Sequence, residues 1–476
     1  MLAAALCAVS LAAPSPRPVA QEVEIRGVWI PNSHSTFFDS PQNVRDQMEA
    51  LSAAGVNVVF PVVWSKGYTL FDSAVAEEVV GARKDPRYGD RDPLAEVLFE
   101  AHRHGIEVVP WFEYGFAAGH ETFPGQALVT HPEWAAIGVD GQPVVKNGFQ
   151  WMNALDPDVQ RFMTDLVLEC ATIYDVDGVQ GDDRLPALPA EAGYDDRTSR
   201  AYRREKGRRP PEDIHDPEWT QWRADRLTDY LAKLRRAVKR VSEDHAFSMA
   251  PGGPSWSLRD YLQDQKTWVE RGLVDALHPQ LYVRDVASYQ RSLDAMLKIE
   301  WLATRRDLIA PGVLASFRDY VASDEMALGA VRANRESGLA GEVWFYELGL
   351  LAQDGRLAAT LTGDPYAQRA RLPWREDPDW RPGEVVAERE PKDEWVSWRV
   401  EAPTSGTYTI WVDYAYEPES DGTKPARARE YEPGWHAVGI VKLRAGRPRE
   451  VLRVAAADAA DARKVMVLID RRADRR

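Results

Sequence analysis

Short apolar runs alternate with amphipathic helical stretches eight times between Glu24 and Asp364, and few folds accept that order. The spacing predicts strands at Glu24–Pro31, Asn57–Trp64, Ile106–Glu113, Asp177–Asp183, Ala246–Pro251, Asp275–Val283, Leu308–Ser316 and Gly341–Leu348. Helices are expected at Pro41–Ala54, Asp92–His104, Pro157–Tyr174, Pro217–Glu243, Ser257–Arg271, Ala287–Thr304 and Ser323–Ser337, with a short one near Gly355–Leu361. Near-continuous apolar strands read as a parallel sheet covered on its outer face. Eight strand–helix units are the number that closes such a sheet into a (β/α)8 TIM barrel. Ser40 is a helix-capping residue by position, and Gly55, Gly105 and Gly338 are helix stops in short loops on one side. Two loops on the other side are long, Tyr114–Asn153 and Arg184–Asp216. That is the strand C-terminal side, where barrel active sites are built.

The remaining sequence divides around this block. Residues 22–364 form the α/β barrel, and 365–382, rich in Pro, Arg and Asp, reads as a linker. Residues 383–476 carry short alternating strands at Trp395–Val400, Gly406–Tyr414, His436–Leu443, Val451–Ala455 and Val465–Ile469, which suit a small all-β sandwich. Within it, Trp398 and Trp411 read as core, whereas Trp395 and Trp435 sit at strand edges where a ring could stack on a sugar. Residues 1–20 open with the small apolar run Met1–Ala13, too short to span a bilayer, and resemble a secretory signal that lacks a basic start. The expectation is therefore a secreted, periplasmic or cell-surface protein with no transmembrane anchor. Cys7 and Cys170 cannot build a disulfide framework. A net charge of −15 disfavours a nucleic-acid partner.

Chemistry in a barrel comes from the ends of its strands, and here acids collect there. Glu113 ends the third strand, Asp182 and Asp183 the fourth, followed by Arg184, and Glu347 the eighth. Trp29, Trp64, Trp111 and Trp344 lie at the same ends, as do His278, Gln280 and Tyr282 on the sixth strand. Carboxyls gathered in one cavity are costly unless paired or used. Together with flat aromatic faces they suit glycosidic cleavage, in which one carboxyl protonates the leaving oxygen and another stabilises the developing cation or activates water. Neighbours in a strand point to opposite sides, so only one of Asp182 and Asp183 can face the cavity from a regular strand. Ion pairing with Arg184 or Arg284 is the competing explanation for any single acid. His102 and His104 are two apart on a helix, which separates their rings. No metal motif, GxSxG elbow or phosphate-binding loop is present, and neither cofactor nor metal is expected. Calcium held by Asp182/Asp183 with loop carbonyls is the alternative.

Several stretches form a recognisable series: Ile25-Arg26-Gly27-Val28-Trp29, Pro110-Trp111-Phe112-Glu113, Asn153-Ala154-Leu155-Asp156-Pro157, Asp177 through Arg184 (DGVQGDDR), and His278-Pro279-Gln280-Leu281-Tyr282. Together they resemble the bacterial glycosyl-hydrolase-like family 10 proteins over roughly residues 24–350. The resemblance implies a (β/α)8 barrel acting on bacterial glycans, some relatives acting on peptidoglycan strands stripped of their peptides. It also carries over the aspartate pair at Asp182 and Asp183. Many relatives have Asn where this chain has Glu113. The tail, through Trp398-Arg399-Val400, Gly406–Val412 and Gly434-Trp435, resembles carbohydrate-binding and golvesin-like β-sandwiches. The expected function is an exported glycoside hydrolase cutting O-glycosidic bonds in a polysaccharide, with cell-wall association through the C-terminal domain. Asp182 or Asp183 would be one catalytic carboxyl and Glu113 or Glu347 the other. The alternative is a glycan-binding surface protein on the same scaffold, without catalysis.

Overall fold

The computed structural model describes residues 23–414, 434–456, 459 and 461–475. The expected leader at 1–20, and Cys7 with it, lies outside them. Eight parallel strands close a ring: β1 (Ile25–Ile30), β2 (Val58–Pro61), β3 (Glu107–Val108), β4 (Gly178–Asp182), β5 (Ala246–Ala250), β6 (Ala276–Leu277 continuing at Gln280–Leu281), β7 (Gly312–Leu314) and β8 (Gly341–Phe345). β1 lies between β8 and β2, with Gly27 opposite both Val343 and Val58. The ring closes between β3 and β4 through a parallel bridge of Trp111 to Gln180, and β4 continues to β5 with Gly178 opposite Ala246. The barrel interior is filled by rings: Trp29 packs against Phe60, Trp111, His278 and Phe345.

The helices start where side chains can accept the free backbone N–H groups of a first turn. Ser40 accepts from Asn43, Asp92 from Ala95, Asp216 from Trp219 and Ser323 from Met326. Proline follows the cap in three of these four, pre-set for a helix. β6 breaks at His278-Pro279 because proline brings no N–H to the ladder. The expected single helix Ser257–Arg271 is instead two, Pro254–Tyr261 and Gln265–Glu270, separated by Leu262 in the left-handed region. The final helix spans Glu347–Gly363 with a break at Ala352–Gly355. The long loop after β3 folds into a small antiparallel sheet of Ala117–His120, Val145–Lys146 and Phe149–Trp151.

Residues 365–382 are not a free spacer; they are packed under the barrel. Leu372 is buried, and Glu24 donates its backbone N–H to the Arg371 carbonyl. Arg375 is buried in an ion pair with Glu107, its Nε 2.7 Å from the carboxylate. Arg381, also buried, binds Asp177 and Asp175 at 2.8 and 2.9 Å. Burial alone would push the Asp177 carboxyl up, but Arg381, His102 and Arg375 outweigh it and hold it well below the usual carboxylate range.

The tail forms two antiparallel sheets around one apolar core, including two short strands, Val385–Val386 and Glu388–Pro391, that the sequence pattern did not suggest. Trp398 is in that core, as expected. Trp411 is not: its ring lies 4.5 Å from Phe99 of the barrel helix Pro93–Arg103. Trp435 packs on Phe99 and under the Arg103 guanidinium, and Trp395 is covered by Arg453 at 3.9 Å. Trp435 thus meets the barrel helix on Phe99 and Arg103 and its own domain on Lys464.

Candidate active site

Four side chains meet at the C-terminal ends of β3 and β4. Arg184 reaches Asp182 at 2.9 Å, Glu113 at 3.5 Å and Asp183 at 3.6 Å through the same Nη2. Its Nε donates to the Glu113 carbonyl at 2.6 Å, lacing the two strand ends together. The chain can come this close because Gly115, with φ +48°, lies against the Arg184 carbonyl, where a Cβ would stand 2.3 Å from the oxygen. Burial opposes the Arg184 charge, yet Asp182, Asp183 and Glu113 outweigh it and hold the guanidinium firmly ionised.

The three acids are not equivalent. Asp182 is fully buried and saturated: it accepts from the Arg184 backbone N–H at 2.8 Å, from Arg184 Nη2 and from Trp111 Nε1 at 3.2 Å. Burial pushes its carboxyl up, against Arg184 and with Asp183 and Glu113. With both oxygens taken, it offers little to a cation. Asp183 is partly open, and its buried Oδ1 has no hydrogen-bond partner among the described residues. Glu113 is also partly open; burial raises its pKa, Arg184 opposes and Asp183 reinforces. Three carboxyls around one guanidinium favour keeping a proton in the cluster, because like charges this close resist simultaneous ionisation.

The other expected residues are distributed unevenly. Tyr282 joins the cluster: it is half-buried, stacked on Phe345 at 4.9 Å, and raised by burial and then by the charge of Asp183. Gln280 donates to the Ala250 carbonyl at 2.9 Å. Trp111 lies beneath, holding Asp182. Trp29 is buried within the barrel, donating to Gln180 at 2.6 Å, so it cannot offer a face to a ligand. His278 is equally buried, with Nδ1 against the Ala310 carbonyl; burial lowers its pKa to about 4, leaving it neutral. Trp64 and Trp344 do not line the mouth. Trp64 packs on Phe162 of the outer helix Pro157–Ile173 and donates to the Gly115 carbonyl. Trp344 points outward and donates to Tyr366. Glu347 is fully buried apart from the cluster, bonded to Ser35, and burial raises its pKa to about 8.

Several neighbours escaped the sequence reading. Phe149 lies under the Arg184 guanidinium at 4.8 Å, and Asn147 donates to the Tyr261 hydroxyl at 2.6 Å. Gln263 donates to the Asp182 carbonyl at 2.8 Å. Trp256, three residues beyond Pro251-Gly252-Gly253, could have been found by extending the strand-end search past β5.

A sequence profile described as "Glycosyl hydrolase-like 10" matches residues 24–307. The chain belongs to that family. It is 26% identical over 293 residues to "Glycosyl hydrolase DigH" of Escherichia coli (strain K12), covering 54% of this chain and 62% of that protein. It is 24% identical over 296 residues to "Glycosyl hydrolase YngK" of Bacillus subtilis (strain 168), covering 54% of each. The match thus spans less than two thirds of either relative. Among solved structures, the PgaB (BpsB) glycoside hydrolase domain from Bordetella bronchiseptica superposes with a TM-score of 0.53 at 13% identity, covering 71% of this chain and 99% of that one. The catalytic domain of β-amylase from Paenibacillus polymyxa gives 0.52 at 10% identity, covering 72% and 98%. At such identities the likeness establishes the shared barrel fold.

Proposed function

We propose that the protein is a glycoside hydrolase that cuts O-glycosidic bonds in a polysaccharide, with peptide-free cell-wall glycan strands as the substrate to test first. The observation that carries this reading is the cluster of Glu113, Asp182 and Asp183 around Arg184 at the strand ends of a family 10 barrel. Glu113, partly open and raised by burial, is suited to hold the proton that goes to the leaving oxygen. Asp183, partly open and with an oxygen that takes no hydrogen bond and meets Arg184 only as a 3.6 Å ion pair, is suited to stabilise the developing oxocarbenium ion or to activate water. Asp182 acts through others, fixing Arg184 and Trp111. Residues 1–20 would direct export, in keeping with a glycan substrate outside the cytoplasm. No helix among the described residues is long and apolar enough to cross a membrane.

The test is release of reducing ends from peptide-free glycan strands and a panel of polysaccharides. Wild type should turn over at least one of them, and Glu113→Gln and Asp183→Asn should each lose ~10²-fold or more. Equal rates in wild type and both variants would overturn the assignment. Retention of a polysaccharide without any product would instead establish the glycan-binding alternative.

A further inference from the structure

Of seventeen tryptophans, only Trp256 is exposed, at 41%. The others are buried or half-buried, most of them in the cores, where burial of so large an apolar surface is most favourable. Trp256 sits on the helix Pro254–Tyr261, directly after β5 and therefore on the barrel face that carries the acids. Its ring centroid is 5.0 Å from that of Tyr261. Gly252 makes room for the indole, since a Cβ there would lie 2.6 Å from the six-membered ring.

This ring pair is tied into the wall of the acidic cluster by two routes. The loop after β3 places Phe149 under Arg184 and, two residues earlier, Asn147 on the Tyr261 hydroxyl. Gln263, just past the same helix, donates to the carbonyl of Asp182. Tyr282, one residue past the end of the neighbouring strand β6, stacks on Phe345 of β8, so a second aromatic pair stands at the same end of the barrel. The charge of Asp183 contributes to raising the pKa of both Tyr261 and Tyr282, after burial, so both rings lie within its electrostatic reach.

We propose that Trp256, backed by Tyr261 and seated over Gly252, is a sugar-stacking subsite on the β5 side of the cluster, recognising the apolar face of a pyranose ring remote from the bond that is cut. The inference rests on the glycan-hydrolase reading and adds that the occupant is an oligosaccharide long enough to reach past Tyr261. A flat, exposed indole suits the C–H face of a sugar, and the surrounding hydroxyl and amide groups of Tyr261 and Asn147 suit its rim.

The test uses the full chain carrying Asp183→Asn to block turnover. Calorimetry measures its binding to disaccharides and hexasaccharides of β-1,4-linked N-acetylglucosamine and of peptide-free glycan strand. Adding Trp256→Ala should weaken hexasaccharide binding about five- to tenfold and leave disaccharide binding unchanged, whereas Trp256→Phe should retain most of it. Gly252→Ala, which displaces the indole without removing it, should reproduce the loss. Circular dichroism confirms that each variant is folded. Unchanged hexasaccharide affinity in Trp256→Ala, equal losses for both lengths, or no hexasaccharide bound by the parent protein would each overturn the proposal. Trp256-dependent binding in a protein whose unmodified form turns over no glycan would sink the hydrolase reading and leave the subsite standing. Turnover of hexasaccharide with a KM indifferent to Trp256→Ala would do the reverse.

Discussion

Replacing Arg381 by methionine should destabilise the whole molecule rather than loosen a tail. In the native protein its Nε donates to Asp177 at 2.8 Å and its Nη1 to Asp175 and to the Ile469 carbonyl, both at 2.9 Å. It therefore joins the start of β4, the segment under the barrel and the last strand of the β-domain. Methionine fills much of the same volume but leaves Asp177 buried with less compensation. Breaking a buried pair from one side costs ~3–5 kcal/mol. With a urea slope of ~3 kcal/mol/M, the unfolding midpoint should fall by about 1 M or more. The pH dependence has a definite sign. Asp177 is held well below its ordinary value, so its ion pairing stabilises fully above the unfolded-state pKa of ~4 and is lost as pH falls through the folded value. The deficit of Arg381→Met should thus be constant above about pH 5 and shrink below about pH 4. Urea titrations followed by tryptophan fluorescence at several pH values measure both effects. A wild-type midpoint at pH 7, or a deficit that grows on acidification, would refute the reasoning.

Other outcomes follow from the same geometry. Glu113, raised by burial, should supply the alkaline limb of the rate profile, activity falling as pH rises through its pKa; in Glu113→Gln that limb should vanish from whatever rate remains. Glu347, with a folded pKa of about 8, binds its proton more tightly folded than unfolded, so its contribution to stability falls between about pH 4 and pH 8. Glu347→Gln should accordingly lose less stability than wild type between pH 5 and pH 8 in denaturant titrations, and an identical slope would contradict this. Gly115→Ala should abolish turnover and lower the melting temperature, because its Cβ would collide with the Arg184 carbonyl. Removal of residues 375–476 should leave an aggregating barrel; a soluble, active truncation would show that the arginines beneath it are dispensable.

The eight-unit alternation was legible because helix caps and stops are local: Ser40, Asp92 and Ser323 do in the fold what their positions announce. The acidic strand ends were legible for the same reason. Facing was harder. Trp344 and Phe345 are neighbours, so one had to point inward, but an apolar run with two buried faces carries no phase, and it is Phe345 that packs on Trp29. Asp182 and Asp183 divide as alternation requires, one sealed and one half-open, which only packing against Trp111 decides. Residues 365–382 misled because Pro, Arg and Asp are typical of solvated connectors. Nothing in that composition reveals that Arg375 and Arg381 meet Glu107 and Asp177 some two hundred residues or more away.

The arginines beneath the barrel also bear on the order in which the protein can be made. Arg472 and Arg475 donate to the Ile173, Ala171 and Tyr174 carbonyls, at the end of the helix that leads into β4 and so into Asp182. Those residues leave the ribosome only after all eight strands have been synthesised. At ~5–20 residues per second, the stretch from Phe345 to Arg475 occupies on the order of ten seconds. Arg381, the partner of Asp177 and Asp175, arrives early in that interval, whereas Arg475, the second partner of Asp175, arrives only at its end. A nascent chain interrupted after β8 would lack Arg381 and Arg475, leaving Asp175 and Asp177 beneath the strands without these ion-pair partners.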